Sequence, residues 1–231
     1  MEARRQKKRE SMLDAAMAIL IEHGSDGLTI AALAKSLSLS VGALYRYFDG
    51  KETIMVELQK RAIRRFHERL IEDINALQRL SQSSQWSEHL TLLMQMLALF
   101  HGYGRDAVRA PEEHALMRTI MNAPNQLLSV AMAMEVDQTI QPVLQIGVNF
   151  FRDAQQLGLL CQGDPLMRTY IIWALMQGTD GFAKRDRFQS EDYYSPKITR
   201  SAYETVLLGW QCDPKLIAQA YDAFEQWTQE A

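Results

Sequence analysis

Cysteine is scarce in this 231-residue chain, with only Cys161 and Cys212 present. Two isolated cysteines do not make a disulfide framework, so a reducing compartment, the cytoplasm, is the expectation. Long apolar runs are missing as well. None approaches the ~20 residues that span a bilayer, which leaves the membrane out of the expected partners. The basic start, Met1 to Glu10, is not followed by an apolar region of the signal-peptide kind. No segment combines strict alternation with β-branched enrichment, so no strands are predicted. There is no nucleophile motif, no Gly-rich phosphate loop and no dinucleotide fingerprint. The histidines, His23, His67, His89, His101 and His114, lack close metal-ligand spacing. The expectation is therefore a non-enzyme without metal or cofactor. Internal repeats and low-complexity tracts are also absent.

What is present is an ordinary globular composition, 47% hydrophobic and 23% charged. The length suits one large domain or a small domain plus a medium one. The formal net charge of -3 hides an asymmetry. Residues 1–70 carry 13 Lys and Arg against 9 Asp and Glu, while the remainder carries 12 against 19. A basic end on an acidic body suggests that the first part meets a polyanion.

The apolar spacing is helical almost throughout, which predicts an all-α fold. Met12, Ala16, Ile19, Leu20 and His23 recur at helical spacing, and Gly24 is a stop. Thr29 can cap a second helix that buries Ile30, Leu33 and Leu37. Ser40 can cap a third, with Leu44 and Phe48 one turn apart. Asp49-Gly50 breaks it, and Lys51-Glu52 opens a long fourth helix to about Leu80. The polar run Ser81 to Gln85 reads as a loop. Further helices are expected over about 86–101, 112–121, 126–159, 164–187 (with Pro165 at its first position), 196–211 and 214–228. The expected organisation is a three-helix head over residues 1–50 and a larger helical bundle domain over 51–231.

The informative stretch is Thr29 to Lys51, T-I-A-A-L-A-K-S-L-S-L-S-V-G-A-L-Y-R-Y-F-D-G-K. Two short helices joined by a tight turn make a helix-turn-helix. Ala34 is small where the two helices cross. Leu33, Leu37, Leu39, Leu44 and Phe48 can share a buried face. The opposite face of the third helix then presents Ser40, Val41, Gly42, Tyr45 and Arg46, small and polar enough to approach base edges in a major groove. Thr29 and Lys51 sit at helix starts, where free N–H groups favour a phosphate. Tyr45 and Tyr47 offer phenol donors, although Tyr47 also suits a packing role. The Arg4–Arg9 run can trail along the backbone or enter the minor groove.

In this region the chain resembles the tetracycline-repressor (TetR) family of bacterial regulators. The resemblance covers about Ser11 to Leu58. It rests on M-L-D-A-A-M-A-I-L-I-E-H-G, on G-L-T-I, and on V-G-A-L-Y-R-Y-F-D-G-K-E-T-I. It implies a homodimer on a pseudo-palindromic double-stranded DNA operator, an effector pocket in the C-terminal region, and dimer contact through late helices. Carried over by position, Thr29, Ser40, Val41, Gly42, Tyr45, Arg46, Tyr47 and Lys51 are the DNA-contacting candidates. One departure is Ser38, in a turn where the family commonly has Gly. A left-handed conformation there costs a non-Gly residue on the order of 1 kcal/mol. Looser similarity in D-P-L-M-R-T-Y-I-I-W-A-L-M-Q-G-T-D-G-F and Y-E-T-V-L-L-G-W implies the two dimer helices.

The second region is rich in methionine, a residue that fills cores and also suits adaptable binding surfaces. Met94, Phe100, Met117, Met121, Phe150, Trp173 and Met176 are the candidates for lining a pocket for an apolar small-molecule effector. The functional expectation is a ligand-responsive transcriptional repressor. Its rivals are an architectural DNA binder without an effector and an enzyme built on the bundle pocket.

Overall fold

The computed structural model describes residues 2–121 and 129–230. The elements are α1 (Glu2–Gly27), α2 (Ile30–Ser36), α3 (Val41–Tyr45), α4 (Lys51–Ser84), α5 (Glu88–Arg109), α6 (Pro111–Met121), α7 (Val130–Gln156), α8 (Pro165–Asp180), α9 (Ser195–Gly209) and α10 (Pro214–Glu230). Two short 3-10 turns, Ala183–Arg185 and Glu191–Tyr193, lie between α8 and α9. No strand occurs among the described residues. The fold is all-α, with a helix-turn-helix head followed by a larger helical bundle.

The chain forms two compact units, made of the described residues of Met1–Arg65 with Ala110–Ile140, and of Phe66–Arg109 with Gln141–Ala231. Helices α4 and α7 contribute residues to both. The boundary expected at residue 50 separates α3 from α4; the division between units falls later, inside α4.

In the first unit the head is held by Met12, Leu13, Ala16, Leu28, Leu33, Leu44 and Phe48, all almost fully enclosed. Burying each of these larger side chains is worth about 1.5–3 kcal/mol. Gly24 adopts φ 68°, a left-handed value that breaks α1 where the sequence predicts a stop. The Arg61 guanidinium, on α4, donates to Asp14 of α1 at 2.7 Å.

In the second unit the core is built on Leu93, Met94, Leu97 and Phe100 of α5, Phe151 of α7, Tyr203 and Leu207 of α9 and Tyr221 of α10. Helix α4 is amphipathic, burying Phe66, Leu70 and Leu77 on one stripe. It is tied to α5 by a bidentate pair, Arg69 Nε and Nη2 to the Asp106 carboxylate at 2.6 and 2.7 Å. Arg105 and Arg109 both donate to Asp73, at 2.8 and 2.9 Å.

Three boundaries differ from the sequence expectation. Helix α4 continues through the polar run to Ser84 and ends at Gln85, whose φ is 52°. Helix α5 runs on through Gly102 and Gly104 to Arg109, past the end expected near residue 101. Helix α8 ends at Asp180, giving way to the short turns instead of reaching 187.

Candidate nucleic-acid interface and ligand cavity

The head presents its reading face through two short capped helices. Thr29, in extended conformation, accepts a hydrogen bond from the Ala32 N–H at 3.0 Å and so starts α2. Ser40 does the same for α3, accepting from the Ala43 N–H at 3.2 Å. In both caps the hydroxyl acts as acceptor, so its own proton is still available to an outside oxygen. The turn between the helices needs a left-handed residue, and Ser38 supplies it at φ 53°. A hydroxyl-bearing side chain therefore occupies the conformation that glycine favours.

On α3 the alternation of faces is sharp. Ala43 and Leu44 are buried and Phe48 is 1% exposed, whereas Val41 is 42% and Tyr45 53% exposed. Ser40, Gly42 and Arg46 are also exposed. A Cβ built on Gly42 meets nothing within 4 Å, so the backbone at that position is open to a close partner. Ser40, Val41, Gly42, Tyr45 and Arg46 thus share one outward strip, and Thr29 is exposed at the start of α2.

Tyr47 and Lys51 stand apart from that strip. Tyr47 is half-buried, and its ring lies 5.9 Å from both the Arg5 guanidinium and the Lys8 ammonium. Arg5 also donates to the backbone carbonyl of Arg46 at 3.5 Å. The basic run is therefore the first turns of α1, stacked against the head, rather than an extended arm. Lys51 donates to the Ser25 carbonyl, tying the start of α4 to the end of α1. Two of its three N–H donors are still unspent by that bond.

The second unit contains a cavity of about 370 Å³ between α5, α8, α9 and α10. Of the seven residues proposed for an effector pocket, Phe100 and Met176 line it. Met94 and Phe150 belong to the packed core of that unit. Trp173 is half-buried and stacked on Tyr170, with centroids 6.1 Å apart. Met117 is buried in the first unit. The side chain of Met121 lies outside the described residues.

His101, one of the five histidines to which the sequence gives no metal-ligand spacing, is part of the cavity's aromatic wall. Its ring meets Tyr203 and Tyr221 edge-on, at 5.0 and 5.7 Å, and its Nε2 lies 3.2 Å from the Tyr221 hydroxyl oxygen. Burial pushes its pKa from 6.5 to about 4, with the Arg105 and Arg200 cations adding to the effect. At neutral pH it is an uncharged imidazole. Burial likewise pushes the Tyr203 and Tyr221 phenols upward, so both keep their protons. No local sequence signal marks this group, because it forms only when α10 packs against α5.

Residues 12–58 match the model of the family described as bacterial regulatory proteins, tetR family. A fatty acid metabolism regulator protein of Bacillus subtilis (strain 168) is 35% identical over 63 residues, 27% of this chain and 32% of that protein. The chain thus aligns with about a third of the length of that relative. Among solved structures, a transcriptional regulator of the TetR/AcrR family from Thermobifida fusca YX-ER1 superposes with a TM-score of 0.58 at 16% identity, covering 88% of this chain and 98% of that one. AibR, in complex with isovaleryl coenzyme A and operator DNA, gives a TM-score of 0.56 at 14% identity over 85% of this chain and 96% of that one. Among the described residues no helix is long and apolar enough to cross a membrane. The head of this chain, residues 12–58, thus matches the tetR family of bacterial regulatory proteins, and the whole chain shares its fold with solved regulators such as the TetR/AcrR-family protein.

Proposed function

We propose that the protein is a ligand-responsive, DNA-binding transcriptional regulator: a repressor that grips a pseudo-palindromic operator as a homodimer and is released by a small molecule. The observation that carries this reading is the outward strip of α3, where Val41, Gly42, Tyr45 and Arg46 are exposed beside the buried Leu44. A recognition helix needs that split, with one face anchored in the head and the other small and polar enough to enter a major groove. Thr29 and Ser40 add hydroxyl protons for phosphate oxygens, contacts that set register rather than sequence. Arg46 and Tyr45 supply the longer donors, and Lys51 a cation for the backbone. Tyr47 contributes indirectly, as the platform on which Arg5 and Lys8 rest.

The cavity of the second unit supports the ligand-responsive part of the reading. The AibR complex, which holds both an acyl coenzyme A and operator DNA, supports combining the two on this fold. An effector acts by binding better to the state whose heads are wrongly spaced for successive grooves.

Selection of bound fragments from random DNA should yield a two-fold symmetric site. On that site Tyr45→Phe should bind several-fold more weakly with an unchanged melting temperature, because one hydroxyl bond is worth roughly 0.5–1.5 kcal/mol. Leu44→Ala should instead lose about 2–5 kcal/mol of stability. A destabilised Tyr45→Phe beside an unaffected Leu44→Ala would mean that the strip faces inward.

A further inference from the structure

The cavity between α5, α8, α9 and α10 has a polar inventory that narrows what it can hold. We propose that it is the effector site, and that its ligand is a compact, uncharged, mainly apolar molecule carrying a hydrogen-bond donor, of the phenol or arylamine class. The role as effector rests on the regulator reading above; the binding chemistry does not.

Size comes first. At about 370 Å³ the cavity is near the small end of the ~300–1,000 Å³ range of ligand pockets. Its walls are largely apolar, with Phe100, Tyr103, Met176 and Phe224 as the large contributors. A ligand of one or two rings suits that space better than a long chain with a bulky headgroup.

Charge comes second. The lining holds one cation, Arg105, and one acid, Asp180. The Arg105 charge is already met by Asp73 at 2.8 Å, and its guanidinium lies 4.1 Å from the Trp227 ring centroid. A charged ligand would lose its hydration among these mainly apolar walls, and an anion would have to compete with the Asp73 carboxylate for Arg105.

Hydrogen bonding decides the class. Five lining hydroxyls spend their single proton inside the protein. Tyr203 donates to the Phe100 carbonyl at 2.7 Å and Thr179 to the Leu175 carbonyl at 2.9 Å. Thr199 donates to the Ser195 carbonyl at 2.7 Å, Ser195 to Asp186 at 2.6 Å, and Thr228 to the Glu225 carbonyl at 2.9 Å. A hydroxyl has one proton and two lone pairs, so these oxygens have only acceptor capacity left. A ligand N–H or O–H finds partners among these five oxygens, whereas a bare carbonyl or ether oxygen finds no donor among them.

The test uses the full chain and N-phenyl-1-naphthylamine, an uncharged probe with one N–H whose fluorescence rises in apolar surroundings. Gly104 lines the cavity, and a Cβ built there meets nothing within 4 Å, so the side chain of Gly104→Leu starts in open space. Removing a glycine from mid-helix also favours folding. Saturable micromolar binding is expected, weakened at least tenfold in Gly104→Leu with no drop in melting temperature. Thr199→Val, close to isosteric, should weaken it about threefold or more. The sulfonated analogue 8-anilinonaphthalene-1-sulfonate should bind at least tenfold more weakly than the uncharged probe. Absent binding, or equal affinity in wild type and both variants, overturns the site. Equal or tighter binding of the sulfonate overturns the uncharged class. Retention of selected DNA fragments is measured on the same samples. DNA binding without probe binding defeats the cavity proposal alone; the expected probe binding without DNA retention defeats the regulator reading alone.

Discussion

At the scale of single residues, the cavity's imidazole carries the clearest measurable consequence. Folded His101 takes up a proton only near pH 4, against 6.5 for the free side chain. Between those values the unfolded chain binds more protons than the folded one, so stability falls as pH drops through the window. The loss is complete below about pH 4 and amounts to about 3 kcal/mol, at 1.36 kcal/mol for each pH unit between the two values. Urea midpoints at pH 7 and pH 4.5 should therefore fall further for the wild type than for His101→Phe, each compared with itself. Equal losses would show that the imbalance lies with other groups. His101 also shows how residue roles hide from a sequence. Of the groups that act on it, Arg105 lies one helical turn away, but Arg200 and Tyr221 lie 99 and 120 positions away.

At the scale of elements, local chemistry decides most of the head. Caps at Thr29 and Ser40 and the left-handed breaks at Gly24 and Ser38 all lie within a few residues of what they control. The strain at Ser38 can be relieved. Ser38→Gly gains the left-handed preference of glycine and gives back part of it through a more flexible unfolded chain. The expected net is a gain of up to about 1 kcal/mol, read as a higher melting temperature with operator affinity retained. A loss of stability would mean that the Ser38 side chain holds the turn. Helix α5 is the opposite case. Gly102 and Gly104 argue locally for a stop, but a Cβ at Gly102 would sit 3.7 Å from Phe66 and 3.8 Å from Leu70, ordinary contact distances against α4. With Asp106 pinned by Arg69, packing continues the helix that propensity would end.

At the scale of the whole molecule, the late helices leave an apolar stripe uncovered. Leu166, Met167, Tyr170 and Ile171 of α8 are all exposed, and Leu208 of α9 is 48% exposed. Positions three and four apart lie on one face of a helix, so these four residues of α8 cover one broad side of it. Exposed apolar residues of this kind mark an interaction site, and a second copy is the occupant the dimer reading requires. Met167→Glu combined with Leu208→Glu should give monomers by sedimentation, with the melting of each chain little changed, because these side chains touch little of their own core. Operator binding should then weaken steeply, each half-site being held alone. A wild type that sediments as a monomer at micromolar concentration would refute the dimer.

The all-α class, the helix-turn-helix, its caps and its outward strip were legible in the sequence. Each depends on periodicity and on side chains bonding their own backbone neighbours, so the controlling residues are adjacent in the chain. The cavity was not legible. Of the candidates chosen for composition, Phe100 and Met176 reach it, while Met94 and Phe150 are consumed by the core. Periodicity says that a side chain is buried, but not whether it faces a packed neighbour or a void. That distinction, like the neutral imidazole of His101 and the spent hydroxyls around it, exists only once α5, α8, α9 and α10 have packed together.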